Sequence, residues 1–170
     1  MNEGLTHIVH PWAPWYDERS RILILGTIPS PASRRQGFYY GHPQNVFWRL
    51  LSEILEQPVP PATPEARRSF VLNARIALWD VLHEADIAGA SDASIRNPVP
   101  NRFAPLLQET GITTIFTTGK TATSLFNTLC AEEAGMQAIF LPSTSPANRA
   151  QQSRAEFRTL WQQVARALKQ

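Results

Sequence analysis

The stretch Arg21-Ile-Leu-Ile-Leu-Gly26 decides the fold class. An unbroken apolar run closed by glycine reads as a strand buried on both faces, the pattern of a parallel sheet. A loop rich in Pro, Ser, Gly and aromatic residues follows over 27–43. Val46, Phe47, Leu50, Leu51, Ile54 and Leu55 then recur at helical spacing, and this helix must stop before Pro58. Residues 58–64 form a Pro-rich connection, 65–74 a helix and 76–81 a short second strand. Residues 112–117, β-branched apart from Phe116, form the next strand, and Gly119 opens a helix through Cys130. Residues 137–141 make a final short strand and 142–149 a second polar loop. The closing helix over 153–169 gathers Phe157, Leu160, Trp161 and Val164 on one face. Strand and helix thus alternate about four times, which predicts an α/β fold with a parallel sheet and helices on both faces. Ligands of such folds bind at the carboxyl ends of the strands. The loops after Gly26 and after Leu141 lie at such ends.

The 170 residues suit one domain spanning 1–170 with a single core. With 43% hydrophobic and 18% charged residues, the chain is not of the disordered class. No apolar run reaches the roughly 18 residues of a membrane span, and residues 1–17 lack a basic segment followed by an apolar one. The expectation is a soluble, cytoplasmic monomer with no membrane partner. The single cysteine, Cys130, excludes an internal disulfide framework and a cysteine-built zinc or iron–sulfur site, and its apolar neighbours mark it as a buried helical thiol. His7, His10, His42 and His83 show no zinc-protease spacing, so no metal and no cofactor are expected. A pI near 9.0 permits binding to a phosphate backbone without demonstrating it.

Several familiar motifs fail on inspection. Gly119-Lys120-Thr121 resembles the tail of a phosphate-binding loop, but the glycine required five positions earlier is Thr114, so it reads as a strand-to-helix turn. No G-x-S-x-G elbow exists, and no G-x-G-x-x-G follows Gly26.

The first loop is unusual for a connection. Phe38, Tyr39 and Tyr40 lie outside any periodic element, beside His42, Gln44 and Asn45. Aromatic platforms with amides and an imidazole suit a pocket for a base swung out of a duplex. A packed loop whose rings fill a satellite core would show the same composition.

The segment Tyr40-Gly-His-Pro-Gln-Asn-Val-Phe-Trp48 is similar to the F-A-H-P-x-N-x-F-W element of mismatch-specific uracil-DNA glycosylases. Leu141-Pro-Ser-Thr-Ser-Pro-Ala-Asn-Arg149 resembles the second motif of the uracil-DNA glycosylase superfamily. Together with Gly26-Thr-Ile-Pro-Ser-Pro-Ala-Ser33, the set looks most like the hypoxanthine-DNA glycosylase branch. The resemblance covers residues 21–149. It implies a three-layer α/β/α sandwich around a four-stranded parallel sheet of order 2-1-3-4. It also implies a partner, DNA containing deaminated bases, and a base-excision reaction using water alone.

Carried onto this chain, the resemblance makes Tyr40 the ring that stacks on the extruded base. Gly26, Thr27, Ile28 and Pro29 become the wall against base and sugar. The second loop, with Ser145, Pro146, Ala147, Asn148 and Arg149, becomes the segment against the DNA, where Ala147 and Asn148 would plug the gap in the stack. Asn45 becomes the catalytic residue, holding the water or donating to the departing base; Ser143 and His42 are further candidates. Two positions depart from the uracil-specific branches. Ile28 stands where they place a water-orienting Asp or Asn, and Ser143 where they often place His or Asn, which argues against strong uracil activity.

Neither motif contains a carboxylate. Asp80 and Asp92 are second-line candidates, although Asp80 reads as the end of its strand and Asp92 as a cap before Arg96. His42 reads first as a structural hydrogen-bonder, and Phe47 and Trp48 as core. Arg149, Arg154 and Arg158 form a basic stretch, either a solvated face or a phosphate clamp. The only lysines, Lys120 and Lys169, lie outside both motifs, so a lyase step by an amine is not expected. Uracil or xanthine excision and a non-catalytic module that binds damaged nucleic acid are the rival readings.

Overall fold

The computed structural model describes residues 4–170. In chain order the elements are β1 (Thr6–Val9), β2 (Ile22–Gly26), α1 (Pro31–Gln36), α2 (Phe47–Leu55), α3 (Pro64–Asn73), β3 (Ile76–Asp80), β4 (Leu82–Ala88) and β5 (Ser91–Pro100). There follow α4 (Ala104–Gln108), β6 (Thr114–Thr118), α5 (Lys120–Leu129), α6 (Ala131–Ala134), β7 (Ile139–Leu141), a 3-10 turn (Pro146–Asn148), α7 (Arg149–Gln152) and α8 (Ala155–Leu168).

Strands β3-β2-β6-β7 form a parallel sheet in that order, the expected 2-1-3-4 arrangement of the four sheet strands. Successive side chains of β2 point to opposite faces, and both faces are covered. Ile22 and Ile24 join Phe47, Leu51, Val71, Trp161 and Val164 in the core under α2, α3 and α8. Leu23 and Leu25 join Phe103, Leu106, Ala122, Phe126 and Cys130 in the core under α4 and α5. Every side chain of the run 22–25 is fully buried, which is why the sequence carries no polar alternation there.

A second, antiparallel sheet of order β1-β4-β5 adds to the architecture that the sequence pattern predicts. The chain leaves β3 and enters β4 after a single residue, Val81, whose N–H donates to the Gly26 carbonyl at 2.8 Å. β4 and β5 form a hairpin turning at Gly89, in the left-handed region at φ +58°. The hairpin therefore starts at the carboxyl edge of the parallel sheet, beside the first loop. Residues 27–43 also hold a short helix, α1. Ser30 Oγ accepts the Ser33 N–H at 3.1 Å, Pro31 opens the first turn, and Gly37 ends it at φ +81°. The expected strands over 112–117 and 137–141 start two residues later than their apolar patterns do.

Candidate active site

The two sheet-end loops meet. Val46 N–H donates to the Thr144 carbonyl at 3.1 Å, and Arg149 Nη2 donates to Gln44 Oε1 at 3.1 Å. Between them lies a cleft of about 160 Å³. That is below the roughly 300–1,000 Å³ of pockets for drug-sized ligands, a size for one flat ring system rather than a whole nucleotide.

The three adjacent rings of the first loop divide their work. Phe38 is buried in the core beneath α2, Tyr39 is buried there and also reaches the lining of the cleft, and Tyr40 lines the cleft beside it. Tyr40 is a non-glycine residue at φ +56°, a backbone conformation that packing must enforce. Its ring stacks on Phe47 with centroids 3.9 Å apart and planes at 14°. Thr118 Oγ1 donates to the Leu25 carbonyl at 3.2 Å, so the Tyr40 hydroxyl, 3.3 Å away, donates to Thr118. Burial, reinforced by the charge of Asp80, pushes the Tyr40 hydroxyl far above its ordinary pKa. It stays protonated and the ring stays a neutral shelf.

Asn45 is fixed by the turn that leads into α2. Its Oδ1 accepts the Phe47 N–H at 2.9 Å at the start of α2, which leaves the Nδ2 hydrogens as its free polarity on a residue that lines the cleft. His42 Nδ1 accepts the Gln44 N–H at 3.0 Å, so the neutral ring carries its proton on Nε2. His42 thus orders the loop and also lines the cleft. From the second loop come Ser143, Ser145 and Pro146. Ser143 Oγ accepts the Ser145 N–H at 3.1 Å and keeps its own hydrogen to donate.

Asn148 turns inward, donating to the Ser143 carbonyl at 3.0 Å, while Ala147 is exposed at the loop apex. Both line an adjoining groove of about 710 Å³, with Lys120 and Arg154. Arg149 is exposed outside both hollows. Arg158 pairs with Glu53 and serves the solvated face. The 119–121 segment is the strand-to-helix turn expected, with Gly119 at φ +94°. Burial pushes the Cys130 thiol up to about 11, which keeps it protonated and inert.

Two carboxylates complete the cleft, and both come from outside the motifs. Asp80 ends β3 at the floor; its Oδ2 accepts from His10 Nε2 at 2.8 Å, with both side chains buried. Its Oδ1 lies 2.6 Å from where a Cβ on residue 26 would sit, so only glycine lets β2 pass this carboxylate. Asp92 is not the cap before Arg96 that the sequence suggests. It lies in β5, and its Oδ2 accepts from Thr27 Oγ1 at 3.4 Å at the rim of the cleft. The register shifts along β4 and β5 explain the misreading, because each bulge breaks the period-two pattern that marks a strand. Among the described residues, no group of three His, Cys, Asp or Glu is placed to hold a metal ion.

The family model described as the uracil DNA glycosylase superfamily matches residues 13–165. The chain belongs to the uracil DNA glycosylase superfamily. It is 34% identical over 134 residues to a Methanosarcina acetivorans protein named hypoxanthine DNA glycosylase, covering 78% of this chain and 84% of that one. A Methanosarcina barkeri protein of the same name is 38% identical over 93 residues, 55% of this chain and 59% of the other, so this match spans under two thirds of that relative. A solution structure from M. acetivorans, described as a candidate uracil DNA glycosylase, superposes with a TM-score of 0.79 at 29% identity. The superposition covers 96% of this chain and all of that one. The superfamily's α/β sheet is therefore the frame that holds Tyr40, Asn45 and Ser143 around one cleft. No helix among the described residues is long and apolar enough to cross a membrane.

Proposed function

We propose that residues 1–170 form a single-domain, monofunctional DNA glycosylase that hydrolyses the N-glycosidic bond of deaminated bases, hypoxanthine first. The observation that carries this reading is the Tyr40 shelf facing a cleft whose floor ends in the Asp80 carboxylate. Deamination of adenine turns a ring-nitrogen acceptor into an N–H donor. An ionised carboxylate can only accept, so Asp80 set against that ring nitrogen favours the deaminated base over adenine. The names of the two Methanosarcina relatives favour the same substrate.

In this reading the base leaves the duplex and stacks on Tyr40, with Gly26, Thr27, Ile28 and Pro29 as the close wall. Asn45 Nδ2, aimed by the hydrogen bond from the Phe47 N–H to Oδ1, stabilises the negative charge that develops on the departing base. The Ser143 hydroxyl and His42 Nε2–H are further donors at the mouth. Ile28 presents an apolar side chain to the cleft and offers no polar group to hold a water. Ser145, Pro146, Ala147 and Asn148 shape the loop against the opened duplex, with Arg149 outside on a phosphate. The enzyme works as a monomer, without metal or other cofactor, in the cytoplasm.

The test incubates the protein, in chelator, with duplexes carrying one inosine, uracil, xanthine or G·T site, followed by alkali. Strand cleavage at inosine, exceeding that at the other sites, is the expected result. Binding to inosine duplex with no base released from any substrate overturns the reading and leaves a damage-binding module.

A further inference from the structure

Hydrolysis of a glycosidic bond requires a water held against the anomeric carbon and negative charge near the cation that forms there. No acidic residue occurs between Gly26 and Trp48 or between Leu141 and Arg149, so neither sheet-end loop supplies one. Asp80 and Asp92 bring the carboxylates that line the cleft. Asp80 is committed at the floor, bonded to His10 and closed off from solvent, where the edge of a base would rest. Asp92 stands elsewhere. It is exposed, it takes the Thr27 hydroxyl as its partner, and it borders both the small cleft and the larger groove beside it. If a base fills the cleft and its strand runs in the groove, the sugar lies at their junction, which Ala90, Asp92, Ser143 and Ser145 border and where Asp92 is the one ionisable group.

We propose that Asp92 is a catalytic carboxylate, delivered by the β4–β5 hairpin to hold the attacking water and to face the sugar cation. This rests on the glycosylase reading above. The water oxygen bonds to C1′ as the bond from C1′ to the base nitrogen breaks. The electron pair of that bond leaves with the base, which takes a proton from solvent. Asp92 accepts the proton released by the water and passes it to bulk. The Thr27 hydroxyl aims one carboxylate oxygen and leaves the other for the water. Gly89 makes the tight hairpin turn, three residues before Asp92, that places this carboxylate beside the first loop.

The reaction needs Asp92 ionised. Loss of water on its inner side and the charge of Asp80 raise its pKa, while the Thr27 hydrogen bond opposes them. A raised value brings a base closer to working pH. The other charged or titratable groups around it are Tyr39, Tyr40, His42 and Asp80 (with its partner His10) at the cleft, and Lys120, Arg154 and Glu156 along the groove.

The test measures single-turnover release of hypoxanthine from an inosine duplex between acid and neutral pH, for wild type, Asp92→Asn and Asp92→Glu. Wild type should lose rate as pH falls through the Asp92 titration. Asp92→Asn should bind the duplex and melt like wild type, react about 10²-fold more slowly or worse, and lose that acid limb. Asp92→Glu should recover part of the rate with the limb restored. An Asn variant within about threefold of wild type, or equally slow with the acid limb intact, overturns the assignment and leaves the glycosylase reading standing. A wild type that releases no base from any damaged duplex overturns both.

Discussion

His10 Nε2 donates to Asp80 Oδ2 across 2.8 Å, with the imidazole 2% and the carboxylate 6% exposed. The Trp12 N–H meets the other ring nitrogen at 3.5 Å, so a neutral imidazole satisfies both contacts. The pair ties the segment after β1 to the floor of the cleft. His10→Ala leaves a buried carboxylate without its donor, which costs roughly 1–3 kcal/mol or somewhat more for a charged group. Urea unfolding should show that loss, and hypoxanthine release should fall even well below the melting temperature. Wild-type stability and activity together would remove His10 from the floor.

The parallel sheet was legible because its strands announce themselves. Ile22 to Leu25 are buried on both faces, and a run this short, closed by Gly26, fits a two-sided sheet strand better than a buried helix. The two loops were legible because Tyr40, His42 and Asn45 have no periodic reason to sit together. The antiparallel hairpin was not legible. Its bulges scramble alternation in β4, and Pro98 and Pro100 in β5 read as strand breakers, although an edge strand tolerates them. Asp92 was misread with it. Its partner Thr27 is 65 residues away, a distance no local pattern spans. Asp80 was placed correctly at a strand end, but its meaning depends on His10, which no spacing connects to it.

The hairpin also carries an exposed clamp with a pH signature. His7 Nδ1 contacts Asp86 at 2.8 Å and Nε2 contacts Glu84 at 3.0 Å. The Asp86 and Glu84 hydrogen bonds raise the His7 pKa above 6.5. The Asn97 and His7 hydrogen bonds hold Asp86 below 3.8. The stabilisation from His7 is complete below 6.5 and fades as pH rises through its folded value. That from Asp86 is present above 3.8 and fades as pH falls through its lowered one. β1 should therefore dock most firmly at mildly acidic pH. A proton NMR titration should place His7 above 6.5 and bring it down in Asp86→Asn; a His7 titrating at 6.5 in the wild type would rule the clamp out.

Gly26→Ala should be severe and Gly111→Ala mild. An added Cβ at residue 26 falls 2.6 Å from Asp80 Oδ1 and 3.5 Å from the Tyr40 hydroxyl, whereas at residue 111 nothing comes nearer than 3.5 Å. Asp80 cannot swing aside without giving up His10, so overpacking of about 1–3 kcal/mol is expected, together with a blocked floor. Thermal melts and single-turnover release should separate the two variants. Equal, small effects would mean that the carboxylate is free to move.

Arg149 lies outside the cleft with Gln44 as its partner, which holds its guanidinium where the two loops join. If it grips a phosphate, Arg149→Ala should lower the slope of log affinity against log salt by about 0.9. Titrations of an inosine duplex at several salt concentrations measure this. An unchanged slope would return Arg149 to the solvated surface, beside Arg158.

Asn45 has two jobs that substitution can separate. Its Oδ1 accepts the Phe47 N–H in a local turn ahead of α2, and its Nδ2 is the donor proposed for the departing base. Asn45→Ala loses both, so stability should fall by about 1 kcal/mol for the lost hydrogen bond. Its single-turnover release should also fall by roughly 10²-fold or more, the scale for one donor at developing charge. Asn45→Asp keeps an oxygen for the Phe47 N–H and favours the start of the helix, but removes the donor and sets a negative charge against a leaving anion. That variant should melt like wild type and still be at least as slow as the Ala variant. His42→Ala should cost less than either, because its Nδ1 contact orders the loop through the Gln44 N–H without touching the Phe47 N–H. A fast Asp variant would show that Asn45 acts through its oxygen alone, as a turn residue that shapes the cleft, and the donor to the base would have to be sought at Ser143 or His42.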